Sequence, residues 1–264
     1  MIRFSVITVV RNDPVGVIRT LQSVFSQTYE CVEVIVQDGA STDETSDVLR
    51  NFEHWIDSLV IEPDDGIYDA MNRALRRSTG DYCIFMNAAD FFVDNDVLDR
   101  VAKRIDPAQH DIWSGKILSD ETGKVHTYRP ADQFWAGSTC DHQATFIRTS
   151  LMQELEYDVR YKIAGDLHFF TRARKQNARF FHDDLVIARK PFAVGASSDF
   201  TDRIIDRIHL LEEAWGEEYP VRDTITRELR HNICRRFDVS VNHLEGLSID
   251  ELLKKHDLLN GVIK

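Results

Sequence analysis

The chain has 264 residues, 43% of them hydrophobic and 29% charged, which is the composition of a folded globular protein and excludes a disordered one. Its formal net charge of -12 at pH 7 argues against a nucleic-acid groove, because phosphate backbones are bound by clustered Lys and Arg. An anionic small molecule would need a metal ion or a local cationic pocket.

Cysteine usage and the first residues indicate a cytoplasmic protein. The 4 cysteines are widely spaced and form no CxxC pair, as expected of reduced thiols. The apolar run at the N-terminus is too short to span a membrane and has no cleavage site behind it. We therefore expect a cytoplasmic protein with at most a peripheral contact at a membrane surface.

The first third of the chain alternates buried strands with helices. Strands are predicted at residues 4–10, 32–36, 59–62 and 82–86. The helices between them begin after Asp13 and Pro14, at a capping box of Ser41 and Glu44, and after Gly66, the last of them ending at Gly80. This order predicts a parallel sheet with helices on both faces and right-handed connections.

Polar and acidic residues follow each of these four strands, and they include the stretch EPDDGIYDAMN at residues 62–72. Parallel strands present their carboxyl ends at one edge, where α/β proteins bind ligands. The stretch is therefore either a solvated turn that caps a helix or one wall of a site for a hydroxyl-rich ligand. The carboxylates of such an edge suit a divalent ion held through oxygen ligands.

From about residue 106 the pattern loosens. Paired strands are predicted at 112–118 and 124–128, and a strand at 143–147 precedes a helix from Ser150 with Gln153 at capping-box distance. A helix is predicted at 166–176. Strands at 178–181 and 185–192 flank a solvated turn of His182, Asp183 and Asp184. Helices at 201–215, 224–236 and 248–259 form a helical C-terminal tail.

Several common site motifs are missing from the sequence. No GxGxxG or GxxxxGK[ST] follows the first strand, which argues against dinucleotide oxidoreductases and P-loop NTPases. The sequence also lacks the GxSxG elbow of hydrolases, which argues against a hydrolase of that type. A sheet edge lined with carboxylates is what remains.

Seven stretches in order resemble the inverting glycosyltransferases of family 2: SVITVVRND, VIVQDGASTDET, EPDDGIYDAMNRAL, GDYCIFMNAAD, DHQATFIR, YKIAGDLHFFTRA and FAVGASS. Within that family the chain is most similar to the bacterial colanic-acid, capsule and O-antigen type. The resemblance covers about residues 1 to 200. It implies a GT-A-like α/β fold, a Rossmann-type sheet with helices on both faces, plus a helical C-terminal tail. The expected divisions are a nucleotide-sugar-binding half at 1–105, an acceptor-binding half at 106–200 and a helical extension at 201–264.

The resemblance also assigns the site. It implies Asp166 as the catalytic base, Asp90 as the ligand of Mg²⁺ or Mn²⁺, and His142 and Gln143 as acceptor-binding residues. Donor-binding roles are implied for Thr8, Val10, Arg11, Asn12, Asp38, Gly39, Asp64, Gly66, Asn87 and Lys190.

Each assignment has a purely structural alternative. Asp166 is also placed to cap a helix, Asp38 to form a turn, and His142 to be a satisfied core histidine. Tyr68 is expected to pack a helix onto the sheet. Ala89 stands where some family members have a second carboxylate, so we expect weak or substrate-dependent metal binding.

The implied reaction moves a hexosyl residue, with inversion, from a nucleoside-diphosphate sugar to a hydroxyl of a glycan or a polyprenyl-diphosphate-linked acceptor. UDP is favoured as the nucleotide and GDP is the alternative. The expected setting is polysaccharide biosynthesis for the bacterial cell surface, at the inner membrane face. Three rival interpretations stay open: an inactive sugar-nucleotide-binding protein, a nucleotidyltransferase, and an assembly module or homodimer formed through the C-terminal helices.

Overall fold

A computed structural model describes residues 1–120, 122–126, 140–190, 200–215 and 222–263. Its contacts separate into two compact units. Unit 1 comprises Met1–Arg160 and Gly165–Val194, and unit 2 comprises Tyr161–Ala164 and Gly195–Lys264. The boundary between a donor half and an acceptor half at residue 105 stays a prediction.

The first four strands of unit 1 pair in parallel, as predicted. The elements are β1 (Phe4–Val10), α1 (Pro14–Phe25), β2 (Val32–Asp38), α2 (Thr45–Phe52), β3 (Ser58–Ile61), α3 (Ile67–Leu75) and β4 (Tyr82–Phe85). Their order in the sheet is β3-β2-β1-β4. Val10, Asp38 and Ile61 lie side by side in register, so β1, β2 and β3 end at one edge.

The remaining elements of unit 1 extend this sheet with mixed directions. They are β5 (Phe91–Phe92), α4 (Val97–Ala102), β6 (Ile112–Ser119), β7 (Thr145–Arg148), α5 (Thr149–Leu155), α6 (Gly165–Lys175) and β8 (Phe180–Lys190). Strand β7 runs antiparallel between β4 and β6, whereas β8 is parallel to β6 and antiparallel to β5. The full order is β3-β2-β1-β4-β7-β6-β8-β5. The sheet is therefore mixed, with a parallel half that carries the predicted strand ends.

Helices cover both faces of the sheet. Val6 on β1 belongs to the core cluster that contains Leu21 of α1, and Ile7 belongs to the cluster that contains Met71 of α3. Successive side chains of a strand point to opposite faces, so β1 is buried on both. This explains its continuous apolar sequence and confirms the predicted layering.

Both predicted capping boxes are wrong. The N-cap residue of helix α2 is Glu44, whose side chain makes no cap bond, and Asp43 Oδ1 accepts from Thr45 N at 3.0 Å, while the Ser41 hydroxyl donates to Asp38. Helix α5 begins at Thr149, and the Gln153 amide donates to the carbonyl oxygens of Leu75 and Ser78. The partner of Ser41 is local, whereas the partners of Gln153 come from a distant part of the chain.

Three predicted elements of unit 1 also differ from the structure. Helix α3 ends at Leu75 rather than at Gly80. His182, Asp183 and Asp184 lie within the single strand β8, where the register against β6 shifts, and not in a turn between two strands. Near the predicted strand at 124–128, one antiparallel bridge joins Leu118 to Val125, and residues 127 and 128 lie outside the described residues.

Unit 2 is built from α7 (Phe200–Trp215), α8 (Arg222–Phe237) and α9 (Ile249–Ile263), in agreement with the predicted helical tail. The buried Asp206 on α7 accepts hydrogen bonds from the backbone N–H groups of Lys162, Ile163 and Ala164 at 2.7–3.0 Å. Within the described ranges, none of the helices combines the length and the apolar character needed to cross a membrane.

Candidate active site

The loops after β1, β2 and β4 meet at the carboxyl edge of the parallel half. Strand β1 lies between β2 and β4, so the chain order reverses at this point, which is where open α/β sheets bind ligands. Each loop contains one non-glycine residue with a left-handed backbone: Asn12 at φ 53°, Ala40 at φ 53° and Ala89 at φ 72°. Such strain is kept where the surrounding structure enforces it, typically at functional sites.

Asp38 organises the first two loops. Its side chain is fully buried and accepts hydrogen bonds from Ser41 N at 3.1 Å, Ser41 Oγ at 2.5 Å and Ser46 Oγ at 2.6 Å. Ser41 Oγ accepts in turn from Asn12 N at 2.8 Å, and Asn12 Oδ1 accepts from Thr42 N at 2.8 Å. The Asp38 carboxylate therefore fixes the loop that borders the edge, a role that an Asp three residues before a Ser could have indicated.

Gly39 allows Asp64 and Arg11 to approach each other. A Cβ atom at Gly39 would overlap Asp64 Oδ2 and lie 3.3 Å from Arg11 Cδ. Gly39 N donates to Val10 O at 2.9 Å, and Asp64 Oδ1 accepts from Gly66 N at 3.0 Å. Gly66 has φ 116°, which L side chains rarely adopt, and it begins α3. These five residues, all predicted for donor binding, are thus brought together.

The acidic stretch 62–72 divides into two groups. Glu62 and Asp69 pair with Arg73, with N–O distances of 3.1 and 2.8 Å. These two carboxylates are neutralised on the flank of α3. Asp64 is the carboxylate that extends over Gly39 toward the edge. One part of the stretch 62–72 is therefore structural, and another part borders the candidate site.

The segment from Asn87 to Asp90 forms a tight turn after β4. Asp90 N donates to Asn87 O at 2.9 Å, and Ala89 takes the left-handed position. The buried hydroxyl of Thr20 on α1 donates to Asn87 O at 3.2 Å and to Asp90 O at 2.7 Å. Thr20 was not predicted from the sequence, because its distance along the chain from this turn leaves no local signal.

Four predicted site residues carry buried polar atoms without a hydrogen-bond partner. These atoms are Thr8 Oγ1, Asn87 Oδ1, His142 Nδ1 and Gln143 Oε1. Buried polar atoms in folded proteins are nearly always paired, so each of these atoms has a hydrogen bond to offer to a ligand. Their clustering at predicted positions agrees with a ligand site at this edge.

Asp166 lies in the first turn of α6, which begins at Gly165. Its Oδ1 accepts from Leu167 N at 2.7 Å, and its backbone N lies 3.4 Å from the Tyr68 hydroxyl oxygen. The Asp166 side chain is 19% exposed. One carboxylate oxygen is thus committed to its own helix, and the other, Oδ2, faces the candidate site.

Tyr68 has a part that the sequence did not reveal, since it was expected only to pack on the sheet. Asn72, also on α3, can hydrogen-bond across to neighbouring loops, as its sequence position indicates. A Cβ atom at Gly165 would lie 2.7 Å from the Tyr68 ring. The Asn72 amide both donates to and accepts from the Tyr157 backbone at 2.8 Å. Helix α3 therefore supports the segment that carries Asp166.

His142 lies between the turn after β4 and Asp166. Its Nε2 is 3.3 Å from Asn87 Nδ2, and its Nδ1 is 3.5 Å from Asp166 Oδ2 without the geometry of a hydrogen bond. Gln143 is buried in the same short 3₁₀ helix, His142–Ala144. Lys190 ends β8, and its side chain lies outside the described part of the chain, as does the predicted FAVGASS loop at 191–199.

Comparison with known proteins agrees with this architecture. Residues 5–179 match the model of the Glycosyl transferase family 2. The PGL/p-HBAD biosynthesis glycosyltransferase of Mycobacterium bovis is 30% identical over 200 residues, which is 74% of this chain and 75% of that protein.

Solved structures share the fold at low identity. S. aureus TarS 1-349 in complex with UDP-GlcNAc has a TM-score of 0.66 at 20% identity, covering 94% of this chain and 77% of that one. Mannosyltransferase PcManGT from Pyrobaculum calidifontis, in complex with GDP-Man and Mn²⁺, has a TM-score of 0.63 at 21% identity, covering 86% and 69%. The predicted GT-A-like α/β fold is confirmed.

Proposed function

The chain belongs to glycosyl transferase family 2, and from that premise we propose that it transfers a hexosyl residue with inversion from a nucleoside-diphosphate sugar to an acceptor hydroxyl. The observation that carries this proposal is the convergence of two groups at one sheet edge. The turn containing Asn87 and Asp90 adjoins His142, and His142 adjoins Asp166. The proposed leaving-group site therefore lies beside the proposed base.

Asp166 is the proposed general base. The acceptor oxygen attacks the anomeric carbon, the bond from that carbon to the diphosphate oxygen breaks, and the acceptor proton passes to Asp166 Oδ2. The nucleoside diphosphate leaves with the bonding electrons. Because Oδ1 is bound to Leu167 N, the carboxylate has one orientation in which Oδ2 can receive the proton. Gly165 and Tyr68 restrict the backbone that presents it.

The donor is proposed to bind across the ends of β1 and β2. The loop network of Asp38, Ser41 and Asn12 supports a preformed wall for the nucleoside, with Arg11 and Asp64 at its border. UDP is favoured and GDP is the alternative, since the structures that share this fold contain UDP-GlcNAc and GDP-Man. Preformed polar groups bind a ribose without the cost of ordering a loop.

A divalent ion, Mg²⁺ or Mn²⁺, is proposed at Asp90. The residues present fit such an ion as oxygen donors: Asp90 is 7% exposed, and Asn87 Oδ1, a buried oxygen without a hydrogen-bond partner, lies in the same turn. Among the described residues no three His, Cys, Asp or Glu side chains form a metal cluster, so diphosphate oxygens and water would complete the shell. When bound, the ion neutralises charge on the leaving diphosphate.

For the acceptor we propose a hydroxyl of a glycan or of a lipid-linked saccharide in bacterial cell-surface polysaccharide synthesis, at the cytoplasmic membrane face. The support is the resemblance of the motifs to the capsule, colanic-acid and O-antigen type, together with a relative named for PGL/p-HBAD biosynthesis. A panel of glycan and lipid-linked acceptors with one accepted donor tests this part by itself.

A donor panel tests the core of the proposal. Thermal unfolding is measured with UDP, GDP and their sugars, each with Mn²⁺ and with EDTA, followed by assays for donor hydrolysis and sugar transfer. A nucleotide at a hundred times its dissociation constant should add about 2.7 kcal/mol to the free energy of unfolding. Binding without hydrolysis or transfer would favour an inactive sugar-nucleotide-binding protein. That alternative is suggested by Ala89, which stands where some family members have a second carboxylate. Equal stabilisation by the nucleotide with Mn²⁺ and with EDTA would show that nucleotide binding does not require the metal ion.

A further inference from the structure

His142 contacts two groups that the proposed mechanism uses in different ways. One ring nitrogen lies 3.3 Å from the Asn87 amide nitrogen, in the turn of the leaving group, and the other lies 3.5 Å from the carboxylate oxygen of Asp166. The His142 side chain is 14% exposed. The imidazole is therefore largely buried between these two groups, with Nε2 within hydrogen-bonding distance of the amide and Nδ1 facing the carboxylate.

The neighbours of His142 decide where its proton lies. With Asn87 Nδ2 donating to Nε2, the neutral ring carries its proton on Nδ1, which points it at Asp166 Oδ2. The opposite amide orientation would put the proton on Nε2 and leave the Nδ1 lone pair facing a carboxylate. That arrangement sets two electron-rich atoms 3.5 Å apart, so the first is favoured.

We propose that His142 is a positioning residue that holds Asp166 Oδ2 through Nδ1–H and connects the base to the turn of Asn87. Its role rests on the proposed function of Asp166. Leu167 N fixes one oxygen of the carboxylate, and His142 fixes the other, so the base is oriented before the acceptor arrives. This is the arrangement in which a third group orients a base, known from nucleophile–base pairs in other enzymes.

The first test reads the tautomer directly and does not require activity. The imidazole ¹⁵N shifts of His142 are recorded in the wild-type protein, with His142→Gln for assignment, and in Asp166→Asn. We expect the wild-type proton on Nδ1. In Asp166→Asn the amide oxygen stays on Leu167 N, so an NH₂ group faces the ring and the proton should leave Nδ1. A wild-type proton on Nε2, or unchanged shifts in the variant, would overturn the proposal.

The second test separates positioning from acceptor binding. His142→Gln keeps an N–H donor for Asp166 and an oxygen for Asn87, whereas His142→Leu keeps neither. We expect kcat to fall by up to about 10²-fold in the Leu variant, as a misplaced catalytic group costs, with partial rescue by Gln and an unchanged acceptor KM. The exposed His54→Gln serves as the matched control and should behave as wild type.

The outcomes divide clearly. A raised acceptor KM with unchanged kcat in His142→Leu would make His142 an acceptor contact and overturn the positioning role. Wild-type kcat in the Leu variant would overturn it as well. If the wild-type protein transfers no sugar, the proposed function fails, and the ¹⁵N shifts still decide whether His142 holds Asp166.

Discussion

The two ends of β2 each carry a buried carboxylate, and they differ in what surrounds it. Glu33, near the amino end, is 4% exposed and accepts hydrogen bonds from Ser5 Oγ, Thr79 Oγ1 and the backbone N–H groups of Thr79 and Gly80. Arg3 pairs with it at 3.2 Å. These contacts join β1, β2 and the start of β4 into one satisfied network.

Asp38, at the carboxyl end of β2, is also fully buried and hydrogen-bonded. The residues around it, however, include polar atoms without hydrogen-bond partners. Thr8 Oγ1 on β1 and Asn87 Oδ1 after β4 have no partners, and Ala40 and Ala89 are left-handed. The Glu33 network at the amino end serves stability, because the protein itself satisfies the buried carboxylate. The carboxyl end keeps strain and unsatisfied groups that a ligand can use.

The largest expected effect comes from Asp166→Asn at the carboxyl edge. Asn keeps the acceptor for Leu167 N, so the melting temperature should stay close to wild type. It cannot take a proton from the acceptor, so turnover at saturating donor should fall on the order of 10²- to 10⁴-fold. Initial rates of sugar transfer measure the turnover, and thermal unfolding of the same variant measures the melting temperature. Normal transfer with normal stability would reduce Asp166 to a helix residue.

At the amino edge, Glu33→Gln should cost stability and leave the donor KM unchanged. The amide NH₂ replaces an acceptor oxygen that backbone and hydroxyl donors require, and a mismatched buried partner of this kind costs about 3 kcal/mol. Urea unfolding with donor titration of the same variant checks the prediction. A raised donor KM would show that the two edges are not independent.

The pKa of Glu33 also determines how the free energy of unfolding of the wild type and of Glu33→Gln depends on pH. Burial raises this pKa, but the hydrogen bonds from Ser5, Thr79 and Gly80 outweigh burial, and the pKa lies below its ordinary value of 4.5. Since the folded pKa is the lower one, the stabilisation is present above about pH 4.5 and is lost as pH falls through the folded pKa. The difference in free energy of unfolding between the wild type and Glu33→Gln should therefore become smaller at acidic pH.

Asp38→Ala should weaken donor binding about tenfold, equivalent to roughly 1.4 kcal/mol, and leave kcat at saturating donor unchanged. The loss of the acceptor for Ser41 and Ser46 loosens the nucleoside wall. Titration calorimetry with the nucleoside diphosphate measures it. Unchanged affinity would make Asp38 a turn residue, comparable with Glu33.

The smallest effects are expected at Ala89, where two substitutions separate strain from metal binding. Ala89→Gly should add about 1 kcal/mol to the free energy of unfolding, because φ 72° is free of strain for glycine. Ala89→Asp tolerates the same conformation and adds a carboxylate beside Asp90. It should lower the Mn²⁺ concentration for half-maximal nucleotide stabilisation about tenfold, roughly 1.4 kcal/mol. Equal metal dependence in both variants would place the ion elsewhere.

Elements with local signals were predictable to within a few residues. Helix α1 begins at Pro14, and Asp13 accepts from Gly16 N at 2.8 Å, as the Asp–Pro pair predicts. Strand β1 follows its apolar run from Phe4 to Val10 without error. Both capping boxes are wrong, because the Ser41 hydroxyl donates to the nearby Asp38 and the Gln153 amide donates to the carbonyl oxygens of Leu75 and Ser78, which are far away along the chain.

By itself the sequence determined the order of strands and helices, the polar strand ends and, through resemblance, the family. Hydrophobic periodicity and strand-end polarity depend on residues near one another in the chain. Only the tertiary structure decided that Tyr68 supports Gly165 and that His142 joins Asn87 to Asp166. Those contacts span 24 to 97 positions along the chain, and only the tertiary fold brings such residues together.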